Sequence, residues 1–256
     1  MVAHRGASAL FPENTLAAFE GAIQAGADYI ELDVRLTADG VPVIMHDADV
    51  GIRTNGSGFV HTFSLRELKR LDASGGLGPA VGVPTLAEAL DLLSGQAGVN
   101  IEIKNMPGEP SFDSPRERIA EEVVRLLAAS GFQGPTVVSS FNWLAIERVR
   151  DLNAEIPTGF LTNAAIDPWA ALVYARTNDH AFVLPQAPAL LAAGPAFIDQ
   201  AHQDGLRVGT WTVDDPAVMR DLFAMGVDAV ATNDPAMAVP IRDQVRAAQE
   251  GSVQDR

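Results

Sequence analysis

Glu31 and Asp33 stand two residues apart in Tyr29-Ile30-Glu31-Leu32-Asp33-Val34, a stretch that otherwise reads as a buried β-strand. Strand side chains alternate, so the two carboxylates share a face with Tyr29 and Arg35, while Ile30, Leu32, Val34 and Leu36 take the other. Like charges side by side in a core strand are costly unless something positive compensates them. The pattern returns in Asn100-Ile101-Glu102-Ile103-Lys104, which sets Glu102 and Lys104 on one face and the two isoleucines on the other. Three carboxylates on charged strand faces suit a hard divalent cation, which takes oxygen ligands. They equally suit a salt-bridge network with Arg5, Arg35 or Lys104, and the pattern alone leaves both open.

Imidazoles supply the acid–base chemistry such a site would need near neutral pH. His4, in His4-Arg5-Gly6, follows a first short strand, and His46, in His46-Asp47, ends another. His61 reads as a loop residue and His202 as a surface helix residue, and neither they nor His180 have the support of a strand end near the acidic pairs. Lys104 either neutralises Glu102 or holds a phosphate oxygen. Phe141 and Trp211 are either core residues or walls of a substrate site.

The elements that must position these residues are regularly punctuated. Helical stretches end in Gly26, Gly131, Gly205 and Gly226, and a short apolar run follows each. Ser64-Leu65-Arg66-Glu67 and Thr85-Leu86-Ala87-Glu88 are capping boxes, and Asn14 is placed to cap a helix carrying Leu16, Phe19 and Ile23. Further helices are expected near 116–129, 143–152, 168–176, 195–203, 216–224 and 236–246. Strands are expected near 2–4, 28–35, 42–46, 99–104, 136–139, 157–161, 181–184, 207–212 and 228–232. Alternation of strand and helix argues for a parallel sheet. Roughly eight repeats over 256 residues favour closure into a (β/α)₈ TIM barrel. No glycine-rich dinucleotide fingerprint follows the first strand, which weakens an open Rossmann sheet. The reading is one barrel domain over 1–246, with a small inserted subdomain at about 47–84 beside the barrel mouth and a polar, mobile tail at 247–256.

Composition narrows the partners. The net charge is -15 and no basic stripe is present, which argues against nucleic acid and against attraction to anionic membranes. Any phosphate binding must be local. There are no cysteines, so disulfides, thiolate catalysis and cysteine-ligated zinc are excluded. No apolar run is long enough to span a bilayer, and the expected location is the cytoplasm.

In order and spacing, His4-Arg5-Gly6, Pro12-Glu13-Asn14-Thr15, Glu31-Leu32-Asp33-Val34, His46-Asp47, Arg53-Thr54-Asn55-Gly56-Ser57-Gly58 and Glu102-Ile103-Lys104 resemble the signature of glycerophosphodiester phosphodiesterases. Ser139-Ser140-Phe141, Val208-Gly209-Thr210-Trp211-Thr212-Val213 and Gly226-Val227-Asp228 extend the likeness over nearly the whole chain. The chain departs from the pattern at Thr232-Asn233-Asp234-Pro235, where the family commonly has Thr-Asp directly. The resemblance implies a TIM barrel with a small inserted subdomain after the second βα region. It implies Mg²⁺ or Ca²⁺ on Glu31, Asp33 and Glu102, and an acid–base pair of His4 and His46. Arg5 and Lys104 would hold the phosphate, and Phe141 and Trp211 would line the wall near the alcohol groups. The expected reaction converts a small glycerophosphodiester to glycerol 3-phosphate and an alcohol, with a substrate hydroxyl attacking first to give a cyclic phosphate. Two rivals stand beside it: lysophospholipase D-type activity on the same fold, and a non-catalytic phosphate-binding barrel.

Overall fold

The computed structural model describes residues 1–76 and 78–254, with side chains described to 248. The first strand, β1 (Val2–His4), is followed by α1 (Leu16–Gln24), β2 (Tyr29–Leu36) and β3 (Pro42–Ile44). Two short 3₁₀ turns and α2 (Leu65–Leu68) lead to α3 (Leu86–Leu93) and β4 (Gly98–Ile103). Alternation then continues through α4 (Arg118–Ser130), β5 (Thr136–Ser140), α5 (Trp143–Leu152), β6 (Thr158–Thr162), α6 (Pro168–Thr177) and β7 (Phe182–Pro185). The chain closes with α7 (Ala187–Ala193), α8 (Pro195–Gln203), β8 (Arg207–Thr210), α9 (Pro216–Ala224), β9 (Ala229–Thr232) and α10 (Pro235–Gln254).

All nine strands join one sheet in the order β1-β9-β8-β7-β6-β5-β4-β2-β3, and β1 also pairs with β2. That extra pairing closes the sheet. Only β3 runs antiparallel, hairpinned onto β2, so eight parallel strands form a TIM barrel. Because β3 lies outside the ring, β4 pairs directly with β2. The register sets Asp33 beside Glu102 and His4 beside Glu31.

The alternation predicted for β2 is what the barrel uses. Ile30, Leu32 and Val34 are fully buried among the helices α1, α3 and α4. Glu31 and Asp33 point the other way, into the barrel, and are also buried. A second apolar cluster fills the half built from β6 to β9. The insertion has its own small core of Val43, Met45, Val50, Val60, Leu68 and Val83, and occupies the connection from β2 to α3.

Three local expectations are corrected. Thr15, not Asn14, caps α1, accepting from the Ala18 amide at 3.2 Å. Asn14 is instead in a left-handed conformation, with its side chain engaged by Asp33 at 2.8 Å. Helix α7 was not expected: its Ala-Pro-Ala-Leu-Leu-Ala-Ala run has good helix formers but no polar cap to announce it. The last helix extends through Gln254, past the expected end at Arg246; residues 255 and 256 of the expected tail lie outside the described residues, as does Leu77 of the insertion. Among the described residues no helix is long and apolar enough to cross a membrane.

Candidate active site

Eight of the nine residues nominated from the sequence line one cavity of about 180 Å³ at the C-terminal ends of the strands. They are His4, Arg5, Glu31, His46, Glu102, Lys104, Phe141 and Trp211. The ninth, Asp33, is buried and bonded to residues that line the cavity. Strand ends gather them: β1 delivers His4 and Arg5, β2 the acidic pair, β4 Glu102 and Lys104.

The loop after β1 has to turn sharply. Arg5 has φ +57° and Gly6 φ +82°. A Cβ at Gly6 would lie 2.6 Å from the Ala18 carbonyl carbon, so only glycine lets this loop pack on α1. The turn aims the Arg5 amide at Glu31 Oε2, 2.9 Å away. It also brings the guanidinium to Glu13 at 2.9 Å and to Asp33 at 3.1 Å. Strain of this kind clusters at functional sites.

Glu31, Asp33 and Glu102 each offer an oxygen within 4.8 Å of the others, and all three are buried. The salt-bridge alternative is half realised. Lys104 Nζ donates to Glu102 at 2.6 Å and lies 3.3 Å from Asp33. Arg35 does not join; its guanidinium grips Glu109 at 2.6 and 2.9 Å and the His46 carbonyl oxygen at 2.7 and 2.9 Å. The cations leave Glu31 Oε1 buried with no hydrogen-bond partner. Burial and the charges of Asp33 and Glu102 push the Glu31 carboxyl well above the usual range. Burial likewise raises Glu102, against the pull of Lys104. Asp33 goes the other way: burial would raise it, but Lys104 and Arg5 outweigh that and hold it at about 2. An orphaned acceptor between two crowded carboxylates fits a divalent cation bound by oxygens.

His4 and His46 flank this cluster. His4 Nδ1 meets Asn233 Oδ1 at 2.7 Å, and His46 Nδ1 meets Asp47 Oδ1 at 3.1 Å. Burial, then neighbouring positive charge, lowers His4. Burial also lowers His46, although Asp33 opposes it. Both rings are therefore held toward the neutral form. Phe141 and Trp211 meet edge to face at 5.2 Å, and Trp211 Nε1 donates to the Leu184 carbonyl at 2.9 Å. Lys104 Nζ lies 5.9 Å from the centre of the Phe141 ring.

Several supporting contacts escaped the sequence reading. Arg35, held by Glu109, grips the backbone carbonyl of His46. Glu117 is buried with φ +52° and accepts from Asn105 at 2.6 Å and from Asn142 at 3.2 Å. It thereby pins the residues that follow Lys104 and Phe141. Only the polar residue next to each site motif could have signalled this. His61, His180 and His202 all lie apart from the cavity: His180 is buried against Thr158 at 2.8 Å, and His202 pairs with Asp228 at 2.8 Å.

A second cavity of about 310 Å³ adjoins His46 and is lined in part by Phe11, Met45, Ile52, Arg53 and Glu13.

Comparison with known proteins places the chain in a family. The family described as glycerophosphoryl diester phosphodiesterase matches residues 4–237. The glycerophosphodiester phosphodiesterase of Caldanaerobacter subterraneus subsp. tengcongensis is 35% identical over 245 residues, 92% of this chain and 94% of that protein. One from Bacillus subtilis (strain 168) is 32% identical, over 91% of this chain and 83% of that protein. The structure of an Oleispira antarctica phosphodiesterase in complex with the product sn-glycerol-3-phosphate superimposes with a TM-score of 0.84 at 31% identity, covering 94% and 96% of the two chains.

Proposed function

The chain belongs to the glycerophosphoryl diester phosphodiesterase family, and from that premise we propose that it hydrolyses small glycerophosphodiesters to glycerol 3-phosphate and an alcohol. The observation that carries the reading is the meeting of two imidazoles, two cations and three carboxylates around one cavity.

A phosphodiester is shielded by its own negative charge, so a catalyst must neutralise that charge and hold attacking and leaving oxygens in line. Arg5 and Lys104 are the cations at hand. Glu31, Asp33 and Glu102 would hold Mg²⁺ or Ca²⁺, which when bound supplies Lewis-acid charge neutralisation. One histidine removes a proton from the attacking hydroxyl or water, and the other protonates the departing alcohol. Attack by a substrate hydroxyl would give a cyclic phosphate, opened by water in a second round of the same proton transfers. Phe141 and Trp211 form an apolar wall for the carbon skeleton. The cytoplasm remains the proposed location, to be checked by fractionating source cells.

Lysophospholipase D-type activity is the second reading, and the exposed apolar residues favour it. Leu10 and Ile52 are 68% and 60% exposed, and Phe11 and Ile52 line the cavity beside His46. One panel separates the two. Glycerophosphocholine, glycerophosphoethanolamine and lysophosphatidylcholine are assayed with Mg²⁺ and with Ca²⁺. The proposed function requires both deacylated diesters to be cleaved with little selectivity between them. Much faster cleavage of lysophosphatidylcholine overturns it.

A further inference from the structure

Asn233 is the first residue after β9, and its side chain joins three loops. Its Oδ1 faces His4 Nδ1 at 2.7 Å and Ser8 Oγ at 3.0 Å. Its Nδ2 donates to Asp214 Oδ2 at 2.6 Å. Asp214 is itself fixed: its Oδ1 accepts from the Asn233 amide and from the Thr232 hydroxyl, both at 2.8 Å. A carboxylate only accepts, so the Asn233 amide must turn its NH₂ toward Asp214. The carbonyl oxygen is then what His4 meets, and an oxygen there requires the ring proton on Nδ1. Nε2 is left with the lone pair. Aspartate at 233 would set two carboxylates 2.6 Å apart, which accounts for asparagine at the position where the chain departs from the family pattern.

Resting on the proposed function above, we infer that Asn233, oriented by Asp214, is a positioning residue that holds His4 in the Nδ1-protonated tautomer, so that His4 enters the reaction as a proton acceptor through Nε2. The proton lost by the attacking hydroxyl or water moves to Nε2. The resulting imidazolium keeps its Nδ1–H bond to Asn233 until Nε2 releases a proton again. Asp214 touches neither substrate nor histidine; it acts only through the amide it orients.

The test combines a spectroscopic reading with a charge exchange. In ¹⁵N-labelled wild-type enzyme, two-dimensional imidazole spectra, with His4 identified by loss of its signals in His4→Ala, should show His4 protonated on Nδ1. In Asp214→Asn two NH₂ groups would meet, the amide at 233 should turn over, and His4 should shift to the Nε2-protonated form. That variant should lose kcat by about 10²-fold with KM within about twofold, because a wrong tautomer leaves binding intact. Asn233→Asp should also lose kcat, and the double variant Asn233→Asp with Asp214→Asn, which restores one donor facing one carboxylate, should recover at least about tenfold over the worse single change. An Nε2-protonated His4 in the wild type overturns the inference whatever the variants do. So does wild-type kcat in Asp214→Asn, or a double variant no better than the worse single. A wild-type enzyme inactive on every glycerophosphodiester would sink the proposed function instead, and the tautomer reading would show that separately.

Discussion

Glu31 Oε1 is the one oxygen of the acidic cluster that the structure leaves buried and unpartnered, and its ionised form is disfavoured by burial and by two neighbouring carboxylates. Removing that charge should therefore help the cation-free protein and harm cation binding. Glu31→Gln is expected to melt in EDTA at or above the wild-type temperature. It should also lose most of the rise in melting temperature that Mg²⁺ or Ca²⁺ gives the wild type, a rise worth about 2.7 kcal/mol at a hundred times Kd. An unchanged cation response in Glu31→Gln would argue that the carboxylates are only a salt-bridge network. EDTA should likewise abolish hydrolysis, and added Mg²⁺ or Ca²⁺ restore it. For the imidazoles, His4→Ala and His46→Ala should each lower kcat by about 10²-fold or more, and the double change should cost far less than the product of the two. His202→Ala, on a surface helix and paired with Asp228, is the kinetic control. Glu31, His4 and His46 could be nominated from the sequence because each carries its own chemistry at a strand end. Asp214, Glu109 and Glu117 could not, and Asn233 stood out only as a departure from the family pattern: they act through contacts between distant segments, such as His4 with Asn233, which no local spacing announces.

At the scale of elements, the insertion matters because its small core ends next to a site residue. Leu68 is fully buried there with Met45, the residue before His46. Leu68→Ala should cost about 2–5 kcal/mol of stability, the usual range for a buried leucine. Because the loosened core carries His46 and Arg53, the folded variant should also lose activity at temperatures well below its melting point. Leu172→Ala, in the apolar cluster of the opposite half-barrel, should lose comparable stability and keep wild-type kinetics. Equal kinetics in the two variants would mean that the insertion does not position His46. The strands were readable because apolar and charged residues alternate in β2 and β4 and because glycines with positive φ close the helices before them, as at Gly26. Helix α7 was not, since a run of alanine and leucine carries no amphipathic period. The cap of α1 was misplaced by one residue because Asn14 is the better capper in isolation, yet its amide is needed by Asp33.

The whole molecule carries a net charge of -15, so long-range fields do not draw a phosphodiester in; the attraction is confined to Arg5 and Lys104 at the bottom of the mouth. Closure of the barrel was legible from the number of strand–helix repeats, whereas the polar cluster buried beside β6 and α6 was not. There His180 is buried, with Thr158 Oγ1 2.8 Å from Nδ1 and the Tyr174 hydroxyl 3.4 Å from Nε2, and Tyr174 in turn donates to Glu147 at 2.7 Å. Burial, helped by Arg150, lowers the His180 pKa to about 4, well below its ordinary value of 6.5. The unfolded chain therefore binds a proton between those values that the folded protein refuses. It follows that the stability His180 contributes is fully present above pH 6.5 and is lost as pH falls toward 4. The loss at this one position is on the order of 2–3 kcal/mol. Carboxylates titrate in the lower part of the same window, so the wild type alone cannot isolate it; the difference between wild type and His180→Gln can. That difference, from denaturant midpoints at pH 7.5, 6, 5 and 4, should be largest at pH 7.5 and shrink with each step down. A difference independent of pH would show that His180 titrates alike in the folded and unfolded chain and that Thr158 and Tyr174 do not hold it neutral.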